Sequence, residues 1–137
     1  MRTATALVGT RRLVEHVNWD ANGSLVHPFG PNPVGYMIFD QGGHFSVQIM
    51  RTPLLAPFAA GPEKPTPNEA WELLNAYYGA FGTYTMDPAQ AVIIFRAEGA
   101  TRPDLIGKDV RLPYRLADDC LIIGDEKTFR RVWKLVQ

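Results

Sequence analysis

The stretch Val34-Gly35-Tyr36-Met37-Ile38-Phe39-Asp40-Gln41-Gly42-Gly43-His44-Phe45-Ser46-Val47-Gln48-Ile49-Met50-Arg51 carries the clearest structural signal in the chain. In its second half Phe45, Val47 and Ile49 alternate with His44, Ser46 and Gln48, the period-two pattern of a strand with one apolar and one polar face. Gln41-Gly42-Gly43 breaks the pattern with residues that tolerate a positive φ, so Val34 to Asp40 and His44 to Arg51 read as a hairpin.

The same rhythm runs outward in both directions. Thr10 to Trp19 ends in Asp20-Ala21-Asn22-Gly23, a tight-turn sequence from which Ser24 to His27 can pair back. Pro28, Pro31 and Pro33 remove backbone donors and make the next segment a loop. Downstream, Thr52 to Pro65 carries Pro53, Pro57, Pro62 and Pro65 and reads as a lid-like loop. Thr66-Pro67-Asn68-Glu69 then signals a helix through a capping box with proline in the first turn. Trp71, Leu74 and Tyr78, with Ala70 and Tyr77, fall at helical spacing and predict a face packed on the sheet, with Gly79 as the stop. Strand signals resume at Phe81 to Asp87, Ala91 to Glu98, Lys108 to Leu116, Cys120 to Ile123 and Thr128 to Val136, with a short helical turn over Thr101 to Ile106. Eight or nine strands and one mid-chain helix make a single all-β domain over residues 1–137. A closed up-and-down antiparallel barrel is favoured, because closure removes sheet edges; a sandwich is the alternative.

Composition bounds the function. The chain has 137 residues, and its 14 Lys plus Arg balance 14 Asp plus Glu, so the positive field that nucleic acids or acidic membranes require is missing and neither partner is expected. Cys120 is the one cysteine, which excludes an internal disulfide and points to a reducing, cytoplasmic location. No run approaches the roughly 20 apolar residues of a membrane span, and Met1 to Val8 lacks the apolar core of a secretion signal. Neither phosphate-cradling glycine loop is present, nor a Gly-x-Ser-x-Gly elbow. His16, His27 and His44 are not at metal-ligand spacing, so no cofactor or metal is expected.

Leu7-Val8-Gly9-Thr10-Arg11-Arg12-Leu13-Val14, Pro33 to Phe39, Phe45 to Met50, Tyr77 to Tyr84 and Arg131-Val132-Trp133 together resemble the lipocalin-like domain family, small calycin-type barrels of bacteria and fungi. The resemblance implies a lipocalin-like barrel with a ligand cavity. Some members are associated with natural-product biosynthesis as cyclases or isomerases. The chain departs from the pattern at Arg11, where relatives carry the tryptophan that plugs the barrel floor. Trp133 or Trp19 is then expected to supply that bulk.

A cavity for an apolar molecule needs only a few polar groups to orient it. His27 beside the proline loop, His44, Glu98 and Tyr36 are the candidate acid-base residues. Gln48, Tyr84, Arg96, Tyr114 and Arg131 are the candidate ligand contacts. Competing readings accompany each. The His44, Ser46 and Gln48 face also suits a solvated exterior, Arg96 with Glu98 a surface pair, the tyrosines rim or core packing, and Cys120 an inert core residue. Arginine outnumbers lysine ten to four, and Arg131 shares a strand face with Phe129, Trp133 and Leu135, which makes it the best inward cation; the resemblance implies that such an arginine closes the base of the barrel, and that structural reading leads. The leading expectation is an enzyme that isomerises, cyclises or dehydrates a small hydrophobic metabolite without a cofactor. The alternative is a carrier that binds such a molecule unchanged. A third reading is an interaction module, a homodimer through an exposed apolar sheet face.

Overall fold

The computed structural model describes residues 6–136; residues 1–5, part of the amino-terminal stretch read above, lie outside the described residues. Among the described residues nine strands form one antiparallel sheet: β1 (Gly9–Trp19), β2 (Leu25–Val26), β3 (Val34–Phe39), β4 (His44–Met50), β5 (Tyr77–Asp87), β6 (Val92–Ala100), β7 (Asp109–Ala117), β8 (Cys120–Ile123) and β9 (Phe129–Leu135). Each of β3 to β9 pairs with its sequence neighbour, and β9 returns to β1, so eight strands close an up-and-down barrel. β2 is an extra strand, laid against Asn18 and Trp19 at the end of β1. The long β1 makes closure possible because its first half pairs with β3 and most of its length with β9.

The β3–β4 hairpin falls in the expected register, Phe39 opposite Phe45 and Val34 opposite Met50. Phe45, Val47 and Ile49 are buried inside the barrel and His44 and Gln48 are exposed outside it. One half of the interior is solid. Phe39 packs edge-on against Tyr84 at 4.9 Å, and Phe95 reaches both Phe39 at 6.2 Å and Phe45 at 4.9 Å. Below them Leu7 and Leu121 are fully buried. The apolar content therefore divides between a packed base and, above it, the wall of a cavity.

Arg11 sits in this closed end, only 3% exposed, with Nη1 donating to the Asp119 carbonyl at 3.3 Å and Nη2 to the Ala6 carbonyl at 3.2 Å. Burial pushes its pKa down. Trp133, two strand positions from Leu135 and opposite Leu13, supplies the interior bulk and is 1% exposed. Trp19 does not contribute; its ring lies beneath the Arg130 guanidinium at 5.2 Å.

The mid-chain helix, α1 (Pro67–Ala76), starts as expected. Thr66 Oγ1 accepts from the Glu69 amide and the Glu69 carboxylate accepts from the Thr66 amide. Its length and packing differ from the sequence expectation. It ends at Ala76, and the backbone turns extended at Tyr77, so Tyr77, Tyr78 and Gly79 belong to β5 and pair with Met50, Ile49 and Gln48. Ladder pairing with β4 outweighs the helical spacing of Trp71, Leu74 and Tyr78. Trp71 is 64% exposed, and Ala76 is the helix's one buried residue. The proline-rich segment 52–65 is irregular; the Thr52 hydroxyl donates to the Asn32 carbonyl and so ties it to the loop after β2. Cys120 is half-buried at the start of β8, not in the core, and burial raises the pKa of its thiol.

Candidate functional site

A cavity of about 420 Å³ occupies the barrel half opposite Arg11. Met37, Phe45, Val47, Ile49, Phe95 and Leu112 make its wall, with Trp133 towards the base. Pro28 and Phe29 from the loop after β2, and Arg102 and Leu105 from the β6–β7 connection, surround its mouth. The size lies in the lower range of small-molecule sites, and the lining is mostly apolar with a few convergent polar groups.

Those groups are His16, Asn18 and Arg131 on one wall and Tyr78 with Arg102 at the rim. A bulge in β1 puts the first two there. The β1–β9 register slips between Leu13 and Glu15, so Arg11 and Leu13 point inward before it, and His16 and Asn18 after it. His16 then faces Arg131, its partner across the ladder. His16 is 6% exposed, its ring meets Phe29 edge-on at 5.0 Å, and its Nδ1 has no hydrogen-bond partner. Burial, and next the positive charge of Arg131, drive its pKa down to about 3, so the imidazole is neutral at pH 7. Arg131 donates through Nη1 to the Val17 carbonyl at 2.6 Å and to Asn18 Oδ1 at 2.8 Å, and its guanidinium lies over Phe129 at 5.1 Å. Burial lowers its pKa to about 10, which leaves it charged at pH 7.

At the rim, Arg102 ties the helix end to the mouth. Its Nη2 donates to the Leu74 carbonyl at 2.8 Å and its Nη1 to the Tyr77 carbonyl at 3.4 Å, and the group lies 6.0 Å above the Tyr78 ring. Burial raises the Tyr78 pKa, and Arg102 offsets part of the rise.

Of the nine candidate residues named from sequence, Arg131 lines this cavity. His44 is exposed and bonded to Asp40 at 3.2 Å. Tyr36 is exposed under Arg12, which donates to its hydroxyl at 2.8 Å. Arg96 and Glu98 project outward from β6, and Arg96 pairs with Asp109 at 2.8 Å. Gln48 borders a shallow outer groove across β4, β5 and β6. His27 is exposed after β2. Tyr84 is buried in the base, its hydroxyl donating to the Asp40 carbonyl at 3.1 Å, and Tyr114 packs against the core from β7. Sequence reasoning missed His16, Asn18, Tyr78 and Arg102. Uninterrupted alternation in β1 from Arg11 and Leu13 would turn Glu15 and Val17 inward, and the bulge inverts that parity.

Among the described residues, no cluster of three or more His, Cys, Asp or Glu is arranged to hold a metal ion, and no helix is long and apolar enough to cross a membrane. A comparison with curated proteins finds no match. A family model for the lipocalin-like domain matches residues 8–135, from just before β1 to the end of β9, in agreement with the closed barrel and its cavity. The chain belongs to the lipocalin-like domain family.

Proposed function

We propose that this protein binds a small, largely apolar molecule inside the barrel. The observation that carries the reading is the cavity of about 420 Å³, apolar on most of its wall and polar where His16, Asn18 and Arg131 meet. Displacing poorly held water from such a wall favours an apolar ligand, and the polar cluster fixes its orientation. N-phenyl-1-naphthylamine, a neutral dye that brightens in apolar surroundings, tests it. The dye should brighten with the native protein, and Val47→Trp, which fills the wall, should remove the signal while the far-ultraviolet dichroism stays that of the barrel. A signal indifferent to Val47→Trp, or none with the native protein, refutes the proposal.

A catalytic reading has one specific support: His16 offers a neutral imidazole without a partner beside a fixed cation. In that reading Arg131 stabilises negative charge on a ligand oxygen while the neutral His16 imidazole donates a hydrogen bond to it, which suits cofactor-independent isomerisation, cyclisation or dehydration. His16 and Arg131 take the roles first given to His27, His44, Glu98 and Tyr36, because those four do not line the cavity. A β,γ-unsaturated ketone, followed by the absorbance of its conjugated product, separates the two. Turnover lost in His16→Gln favours the enzyme, and binding without turnover favours the carrier. The half-buried free Cys120 supports a reducing, cytoplasmic location. Ile38 and Phe81, exposed on either side of Ser46 on the outer face, support self-association, which sedimentation velocity tests.

A further inference from the structure

The polar wall of the cavity is unbalanced in charge. Arg131 uses only Nη1 in hydrogen bonds, and all three of its acceptors, the Val17 and Arg130 carbonyls and Asn18 Oδ1, are neutral. Its Nε and Nη2 make no hydrogen bond among the described residues, and neither is among the atoms sealed from solvent without a partner. No carboxylate among the described residues lies within salt-bridge distance of it. The nearest acidic residue on β1, Glu15, is held by Arg130 at 2.6 Å on the other face. Beside Arg131, His16 lines the cavity with a ring nitrogen, Nε2, that is also without a partner and not sealed. A cation held in apolar surroundings with two donors idle is stabilised most by a planar oxyanion that accepts two parallel N–H bonds.

We propose that the ligand is an apolar monocarboxylate, with its carboxylate seated on the idle edge of the Arg131 guanidinium and its hydrocarbon body against Met37, Phe45, Val47 and Ile49. This rests on the binding function proposed above and adds the chemical class of the ligand. Neutral His16 donates or accepts one further hydrogen bond at the head, and a neutral neighbour does not compete with Arg131 for the negative charge. A neutral ligand of the same shape would leave the cation without a counter-charge.

The test compares decanoate with decan-1-ol, which share a chain and differ in the head, as competitors of N-phenyl-1-naphthylamine at pH 7.5. Decanoate is expected to displace the dye at a concentration about tenfold or more below that of the alcohol, the difference a charge-assisted pair makes over a neutral one. Arg131→Gln should bring the two together by weakening decanoate alone. Arg131→Lys, which keeps the charge and loses the fork, should retain a reduced preference and serves if the glutamine variant does not fold. Equal displacement by acid and alcohol in the native protein, with the dye bound, overturns the carboxylate assignment and leaves the binding function standing. A preference undiminished in both variants overturns the role of Arg131. Failure of the native protein to take up the dye removes both proposals together.

Discussion

Acidification should destabilise this barrel by way of His16, and the size of the effect follows from its burial. The imidazole's ordinary pKa of 6.5 falls to about 3 on folding because the ring is desolvated and faces Arg131. Below pH 6.5 the unfolded chain therefore takes up a proton that the folded chain refuses, and stability declines with pH until about pH 3, where the folded state accepts it too. At about 1.4 kcal/mol per pH unit, the 1.5 units between pH 6.5 and pH 5 cost about 2 kcal/mol, a substantial part of the 5–15 kcal/mol typical of a domain. Urea denaturation of the native protein and of His16→Gln, each at pH 7.5 and pH 5, isolates the contribution. The carboxylates held low by hydrogen bonds, such as Asp40 and Glu126, titrate alike in both proteins and cancel in the difference. The native protein should lose about 2 kcal/mol more than the variant over this interval. Equal losses would falsify the placement of a neutral imidazole in a desolvated wall.

Gly82 lies at the β5–β6 bulge, where a methyl group would overlap the Arg96 carbonyl oxygen, so Gly82→Ala should destabilise by about 2 kcal/mol in urea titrations. Glu15→Gln removes the carboxylate that joins Arg130 at 2.6 Å, and because both side chains are about one-third exposed the loss should be no more than about 1 kcal/mol and shrink in high salt. Phe39→Ala, in the packed base, should cost about 3–5 kcal/mol in stability while the dye still binds the cavity above. His44→Ala and Glu98→Gln change side chains on the outer surface and should leave dye affinity unaltered, which fluorescence titration checks.

How much of this could be read from residues alone depended on how regular the chain is. The β3–β4 hairpin announces itself because each inward residue, from Phe45 to Ile49, is apolar and each outward one is polar, and a solvated exterior imposes that contrast. Arg131 could be placed inside for a related reason, since Phe129 and Trp133 share its face and nothing interrupts β9 between them. His16 could not. Its position depends on one residue of slippage between β1 and β9, a property of two strands distant in sequence that neither reveals alone. Tyr78 was obscured differently. Its spacing from Trp71 and Leu74 suits a helix, and only the availability of β4 as a partner turns that segment into strand. Arg102 lies in a short connection with no period at all, and its role comes from carbonyls of a helix end 25 and 28 residues earlier. The candidates that lie away from the cavity are mostly in regular strands, where the competing reading, a solvated exterior or core packing, describes them.

The closed end around Arg11, Leu7 and Leu121 has a kinetic consequence. With the base packed shut by the described residues, a molecule in the cavity passes the mouth framed by Phe29, Arg102 and Leu105, and arrival and departure there cross the same barrier. Loosening that frame, for instance by releasing Arg102 from the Leu74 carbonyl, lowers the barrier to filling and to emptying alike. The rate of exchange is thus governed at the rim, whereas the seat of the bound molecule lies on the walls below.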